Sequence, residues 1–228
     1  AVGLGDPVAA RPLLEQAQMY LGDADVRDLI AWVNNEPLIE RHPFGTVKAF
    51  PQSPTAPEVW ILGSSDYGAQ VAALFGLPYC YAWFFSDGAG GERAIDLYKR
   101  TYRPSARHPE PHSALCVWAL AAESMEKAQY HFTSRALSRI NRDKNILGPV
   151  LPPDEAAQAP LTAYEAAKME QFRKDSFVGT GPEVAARITE LKDRVGVDEM
   201  AVVTWTHDEQ VRRDSYTELA KAYRFAPV

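Results

Sequence analysis

Positive charge and cysteine are both scarce in this sequence. Lys and Arg number 24 against 30 Asp and Glu, so the formal net charge is −6. A mildly acidic chain argues against nucleic acid or an anionic membrane as the main partner, because both bind through clusters of Lys and Arg. The two cysteines, Cys80 and Cys116, lie in apolar runs and are expected to be buried free thiols. No spacing of Cys and His indicates a metal site.

Long apolar runs are missing as well. No run reaches the roughly 18 residues of a membrane-spanning helix. The sequence does not open on the basic segment and apolar stretch that mark a secretory signal. We therefore expect a cytoplasmic protein with no membrane partner. The 228 residues, 46% of them hydrophobic, are enough for one sizeable core, so a single domain over 1–228 is expected.

Short apolar runs alternate with amphipathic stretches along most of the chain. The runs predict strands near 58–62, 79–85, 113–121 and 199–205. The amphipathic stretches predict helices at 11–20, 25–33, 66–75, 94–103, 124–141, 161–174, 182–195 and 208–223. A loop, with or without a short strand, is predicted for 34–57. Apolar runs without polar alternation are typical of strands buried on both faces of a parallel sheet. Strict alternation of strand and helix leaves a doubly wound sheet and a (β/α)8 barrel, which periodicity cannot separate.

The first strand ends in a turn that predicts an anion site. Residues 60–70 read Trp-Ile-Leu-Gly-Ser-Ser-Asp-Tyr-Gly-Ala-Gln, with the turn at Gly63, Ser64 and Ser65. Such a turn leaves backbone N–H groups at the start of the next helix, where the helix dipole adds positive charge. The alternative is an ordinary helix cap by Ser64, Ser65 or Asp66. The stretch is neither a P-loop nor a dinucleotide-binding glycine motif.

Three other segments carry weaker functional signals. Trp83 and Phe84 end the second predicted strand, where they either pack in the core or line a flat aromatic ring. Thr180 precedes a helix opened by Pro182 and is either its cap or part of a second anion site. His207 and Asp208 follow the last strand and favour a capping pair over a catalytic dyad. We assign no catalytic acid or base from the sequence.

Taken together, these pieces resemble the luciferase-like monooxygenases. The run at 60–82 carries the closest resemblance, with further matches at 177–184, 197–208 and 212–220. The order and spacing of these pieces are specific, and the resemblance covers about 58–225.

The resemblance implies a flavin enzyme built on a (β/α)8 TIM barrel, of which only the C-terminal half, about four βα units, is evident here. The cofactor would be FMN, or in some branches F420, with the phosphate of FMN at Gly63, Ser64 and Ser65. Trp83 and Phe84 would line the flavin or substrate wall. The family pattern usually has Ser where this chain has Gly68. Many relatives have a His near Trp83 and Phe84, so no catalytic residue is carried over.

The front of the chain departs from that family. Residues 1–57 match poorly, and the first four strands of a barrel are not found. The sequence therefore predicts a fragment, a deleted form or a divergent shortened protein. Half a barrel has two open sheet edges, which favours a homo-oligomer or a partner chain. The alternative function is a non-catalytic half-barrel that acts through oligomerisation or by pairing with a separate N-terminal half.

Overall fold

The computed structural model describes residues 24–225, so the helix predicted at 11–20 lies outside the described residues. The five strands within this range are β1 (Ile61–Gly63), β2 (Tyr79–Tyr81), β3 (Ser113–Ala122), β4 (Phe177–Thr180) and β5 (Glu199–Val203). The helices are α1 (24–33), α2 (Asp66–Phe75), α3 (Trp83–Ser86), α4 (Gly91–Thr101), α5 (Met125–Asp143), α6 (Pro153–Ala157), α7 (Ala163–Asp175), α8 (Gly181–Val195) and α9 (Glu209–Ala222).

Every strand pairing in the sheet is parallel. β1 pairs with β2, and β2 pairs with the start of β3. β5 pairs with β3 from Ala114 to Trp118, and β4 pairs with the last four residues of β3. The four strands predicted from the apolar runs are therefore confirmed as parallel strands, each followed by a helix.

β3 is the central strand and separates two apolar layers. Leu115, Val117 and Ala119 point into the layer that contains α2, α4, α8 and α9. Cys116 and Trp118 point into the opposite layer, which contains α5 and α7. Since successive side chains of a strand point to opposite faces, both faces of β3 are covered, as the sequence predicts.

The strands at the two ends of the sheet are less covered. Within the described residues β1 pairs only with β2, and β5 pairs only with β3. Leu62 in β1 is 58% exposed, and Ala201 in β5 is exposed as well. The expectation that all four apolar strands are buried on both faces is therefore wrong for β1 and β5.

Three local predictions need correction. The strand predicted at 79–85 ends at Tyr81, because the chain turns at Ala82 into the single-turn helix Trp83–Ser86 and then reverses at Asp87, whose φ is 50°. Residues 177–180 form β4, which is too short for its periodicity to be recognised. Residues 145–160, for which the sequence predicts no helix or strand, contain the short helix Pro153–Ala157.

Both cysteines are free, as expected. Cys116 is buried, whereas Cys80 in β2 is only half-buried. Burial is the main cause that raises the pKa of the Cys80 thiol to about 12, so neither the charge nor the reactivity of a thiolate is expected there at neutral pH. In the described part of the chain, no helix is long and apolar enough to cross a membrane, and no group of three metal-ligating side chains forms.

Candidate anion site at the carboxyl ends of the strands

The turn between β1 and α2 holds the residues predicted to bind phosphate. Gly63 ends β1, and α2 begins at Asp66. A Cβ built on Gly63 would lie 3.4 Å from the Cα of Gly68, so the first turn of α2 packs closely on the end of the strand. Ser64 and Ser65 are both exposed. The structure therefore brings together all three predicted residues at an accessible helix start.

The start of α2 lacks an internal cap. Ser65 occupies the N-cap position with extended backbone, and its side chain makes no capping hydrogen bond. Within residues 24–225 the backbone N–H groups of Ser64 and Ser65 donate to no other backbone group. A helix start preceded by two such N–H groups is suited to an anion, because both the N–H groups and the helix dipole favour negative charge.

Two tyrosines fix the turn from its buried side. The Tyr79 hydroxyl donates to the carbonyl oxygen of Ser65 at 3.2 Å. The Tyr81 hydroxyl donates to the carbonyl oxygen of Ala89 at 2.6 Å and lies 3.3 Å from that of Ser64. Burial raises the pKa of Tyr79 well above its ordinary value, so its hydroxyl stays protonated as a donor. Carbonyl groups of the turn are thus held inward.

Asp66 is a carboxylate close to a predicted anion site. It does not cap α2; its carboxylate instead pairs with Arg93 of α4, with Nη2–Oδ2 at 3.0 Å and Nε–Oδ1 at 3.3 Å. This ion pair offsets the charge that would repel a phosphate. Capping by Asp66, the simplest sequence-based account, is therefore wrong.

The second predicted anion site, before α8, is already filled by the chain. One carboxylate oxygen of Glu183 accepts hydrogen bonds from the Thr180 backbone N–H at 2.9 Å and from the Thr180 hydroxyl at 2.7 Å. These hydrogen bonds lower the pKa of Glu183. A carboxylate from the same helix occupies the position that an external anion would need, so capping is the structural role of this turn.

Trp83 and Phe84 lie in α3 rather than at the end of a strand. The Trp83 ring covers the glycine-rich loop that follows, since a Cβ on Gly88 would lie 2.0 Å from it. Phe84 is buried and meets Trp205, which follows β5, edge to face at 5.4 Å between ring centroids. Trp83 and Phe84 therefore form a wall at the carboxyl end of β2, which Phe84 extends to Trp205 after β5.

The sequence-based reasoning missed a charged cluster at the same edge of the sheet. Arg135 and Arg139 of α5 are buried, and Arg139 pairs with Asp87 after α3. The available signal was their position one turn apart on the apolar face of α5.

The predicted pair after the last strand, His207 and Asp208, has separate contacts. Asp208 caps α9 by accepting from the Gln210 N–H at 2.7 Å, while His207 contacts the Val150 carbonyl oxygen. Those last two residues therefore form no dyad.

Similarity to known proteins decides the family. No protein-family model matches the chain. The uncharacterized protein YwcH of Bacillus subtilis (strain 168) is 32% identical over 81% of this chain and 55% of its own length. A luciferase-like monooxygenase of Escherichia coli (strain K12) is 30% identical over 86% of this chain and 56% of its own length. This chain belongs to the luciferase-like monooxygenase family.

Solved structures support the same family fold. The chain aligns with apo-MsnO8 at a TM-score of 0.71 and 26% identity, over 98% of this chain and 63% of that one. Monooxygenase RslO1 from Streptomyces bottropensis shares the fold at a TM-score of 0.55 and 16% identity. This luciferase-like monooxygenase chain therefore has a mixed α/β, TIM-barrel-like fold with a parallel sheet. It spans about half the length of the curated relatives it matches.

Proposed function

We propose that the protein acts in a flavin-dependent monooxygenase that uses reduced FMN and dioxygen to oxygenate a small organic substrate. The observation that carries this proposal is the uncapped, exposed start of α2 directly after β1. Ligands of parallel α/β sheets and of TIM barrels bind at the carboxyl ends of the strands. Reduced flavin supplies the electrons that activate dioxygen, whereas the protein supplies binding, orientation and exclusion of water.

The residues present fit the phosphate of FMN. The hydroxyl groups of Ser64 and Ser65 are exposed beside unused backbone donors. Gly63 is proposed to let the backbone of the turn approach the phosphate. A Cβ at Gly63 or at Gly68 would have its nearest contact at 3.4 Å, so neither position sterically excludes a side chain. Arg93 offsets the charge of Asp66. The phosphate would therefore receive hydrogen bonds from the turn without facing an unpaired carboxylate.

Phe84 and Trp83 are proposed as part of the wall around the flavin or its substrate. Both lie just after β2, next to the strand that ends in the phosphate turn. Phe84 meets Trp205 edge to face, so the wall continues to the end of β5. Aromatic side chains suit this position because they can pack on a flat ring.

The phosphate site is tested by paired titrations with FMN and with riboflavin, which lacks the phosphate. Replacing both Ser64 and Ser65 with Ala removes two hydroxyl donors to a charged acceptor, so FMN affinity should fall by about tenfold or more. Riboflavin affinity should hardly change. A matched control is the double variant Ser53→Ala/Thr55→Ala, which removes two exposed hydroxyls from a loop elsewhere.

Equal losses for FMN and riboflavin would mean that the turn supports the fold rather than binding phosphate. Binding of F420 in preference to FMN would overturn the choice of cofactor. Failure of the chain to bind either flavin would favour the alternative function, a non-catalytic protein that acts through assembly.

A specific observation supports assembly with a second copy or a partner chain. β1 and β5 each pair with one strand in the described part of the sheet. Beside β5, a cavity of about 460 Å³ is lined mainly by apolar residues of α8, β5 and α9, including Ile188, Met200 and Leu219. Open strand edges beside apolar surface favour pairing with another chain.

Assembly is tested by light scattering on the purified chain. We expect an oligomer or a concentration-dependent association. A stable, monodisperse monomer over a wide concentration range would contradict this part of the proposal.

A further inference from the structure

α5 places two arginines on its buried face, and within the described residues only Arg139 has a carboxylate partner. Arg139 forms a two-bonded ion pair with Asp87, with Nη1–Oδ1 at 3.0 Å. Arg135 has no carboxylate within ion-pair distance among residues 24–225. Its guanidinium donates one long hydrogen bond, from Nη2 to the Phe84 carbonyl oxygen at 3.5 Å, and its Nε has no partner there. One buried positive charge is thus left without a counter-ion.

Such a charge is unfavourable unless something compensates for it. Burial first, and then repulsion from Arg139, lower the pKa of Arg135 to about 9. Asp87 acts in the opposite direction but is already bound to Arg139, and Arg142 adds further positive charge. A buried cation without paired hydrogen-bond acceptors costs a folded protein stability. This group is still charged at neutral pH and lacks an anion.

Two tryptophans hold the guanidinium in place. Its carbon lies 4.3 Å from the ring centroid of Trp118 in β3 and 4.8 Å from that of Trp205 after β5. The rings attract the cation through their faces. They cannot accept the hydrogen bonds that point along the edge of the guanidinium. Arg135 is therefore fixed in position with donor capacity left over, between β3 and the segment that follows β5.

The surroundings suggest how a ligand would lie. The cleft beside Arg135 has a volume of about 10 Å³ and is lined by Asp87 and Asp175 as well as by aromatic rings. This is close to the space of one water molecule, so a single carboxylate oxygen fits beside the guanidinium and the rest of a ligand stays outside. Outside it, the rings of Phe85 and Trp205 are 53% and 41% exposed. Both contact Phe84, at 4.3 and 5.4 Å between centroids. A buried cation thus adjoins an exposed aromatic surface.

We propose that Arg135 binds the carboxylate of an organic-acid substrate whose aryl or alkyl body lies on Phe85 and Trp205. This inference rests on the proposed function, since it names the substrate class of that enzyme. The phosphate of FMN at the β1 turn is a separate anion: β2 lies between β1 and β3. Two strand spacings amount to roughly 10 Å, which is too far for one phosphate to contact both the turn and Arg135.

The test uses the full chain without flavin. Phenylacetate and phenylacetamide are titrated by calorimetry, with tryptophan emission as a second signal because Trp118 and Trp205 touch the guanidinium. The wild type should prefer the acid to the amide. Arg135→Met should weaken phenylacetate binding by about tenfold or more and abolish the preference. Arg135→Lys, which keeps the charge, should retain the preference with weaker binding.

Arg142→Met is the matched control, because it removes the same charge from an exposed position of the same helix. It should bind phenylacetate like the wild type. Arg135→Met should unfold at an equal or higher urea concentration than the wild type, because an apolar side chain replaces an unpaired buried cation. That measurement separates loss of binding from loss of folding.

Several outcomes would overturn the inference. They are no binding of phenylacetate to the wild type, equal affinities for acid and amide, or unchanged phenylacetate affinity in Arg135→Met. A fall in FMN and riboflavin affinity in Arg135→Met, without an acid preference in the wild type, would assign Arg135 to the flavin instead. Because the phenylacetate titration contains no flavin, its result does not depend on the outcome of the FMN experiments.

Discussion

The turns before α2 and before α8 look alike in sequence and differ in what they leave free. Both follow a short parallel strand, contain glycine, and place a hydroxyl residue at the N-cap, Ser65 or Thr180. At α8 the carboxylate of Glu183 reaches back and accepts from Thr180. The corresponding position of α2 is Gly68, which has no side chain to reach back. A helix start is available to an external anion only where its own chain has not supplied one.

The turns also differ in how tightly they are packed, and this difference should give the largest effect. A Cβ on Gly181 would lie 2.6 Å from the backbone oxygen of Glu218 in α9, whereas a Cβ on Gly63 would have its nearest contact at 3.4 Å. Gly181→Ala should therefore destabilise the protein by about 1–3 kcal/mol, measured by urea unfolding. Gly63→Ala should change the stability by less than about 0.5 kcal/mol. Equal losses of stability in Gly181→Ala and Gly63→Ala would contradict a difference in packing between the two turns.

The Tyr81 hydroxyl contacts the turn before α2 and has no counterpart among the described residues at the turn before α8. Removing it offers a second test of the difference between the two turns. Tyr81→Phe leaves the carbonyl oxygen of Ala89 without its 2.6 Å hydrogen bond. We expect a loss of about 1 kcal/mol in the free energy of unfolding and weaker FMN binding. Tyr164→Phe, at a site that is 75% exposed, is the control and should match the wild type. Unchanged FMN affinity in Tyr81→Phe would show that the turn holds its shape without the brace.

The pH dependence of stability should expose the internal cap of α8. The pKa of Glu183 is lower in the folded protein than its ordinary value because of its bonds to Thr180. Its contribution is therefore present above the unfolded glutamate pKa of about 4.3, and it is lost as the pH falls through the lower folded value. Glu183→Gln should be less stable than the wild type at pH 7, and the two should converge in acid.

Glu190→Gln on the exposed side of the same helix is the control for that experiment. Its stability should follow the wild type at every pH. A constant difference between Glu183→Gln and the wild type down to pH 2 would contradict a role for the charge.

The smallest effect is expected at Ser65. Its side chain caps nothing, so Ser65→Ala should leave the free energy of unfolding within about 0.5 kcal/mol of the wild type. Asp208→Ala removes a cap that accepts from Gln210 N–H, and it should cost about 1 kcal/mol. A loss at Ser65 as large as at Asp208 would show that Ser65 caps α2 in solution, which would leave less room for a phosphate.

Local signals in the sequence were enough to locate four of the five strands in the described residues, the start of α2 and the family. The apolar run at 113–121 predicted a strand covered on both sides and corresponds to β3, and the turn after Gly63 was recognisable from its residue types. The spacing Thr180-x-x-Glu183 is also a local signal for an internal cap, which was one of the two alternatives that the sequence offered for this turn. The residue three positions after the N-cap, Glu183 at α8 and Gly68 at α2, is therefore the sequence feature that distinguishes the two turns.

Long-range contacts account for what the sequence did not predict. Arg135 is visible as a charged residue on an apolar helix face, but the rings that hold it, Trp118 and Trp205, come from β3 and from the segment after β5. The exposure of β1 and β5 depends on which strands lie beside them rather than on their own apolar residues. The ion pair of Asp66 with Arg93 joins positions 27 residues apart and follows from the packing of α2 on α4.

The role of β3 as common partner of three strands has a consequence for biosynthesis. β1, β2 and β3 are the first three strands along the described chain, so they can pair with one another as soon as all three have left the ribosome. The edge of β3 that pairs with β5 must wait, because Asp198, which accepts from the Ser113 N–H at the start of that pairing, is translated 85 residues later. Until then the most apolar strand of the protein has an open edge, and nascent chains are exposed to aggregation at that stage. Slower translation of the segment between β3 and β5 would lengthen that interval.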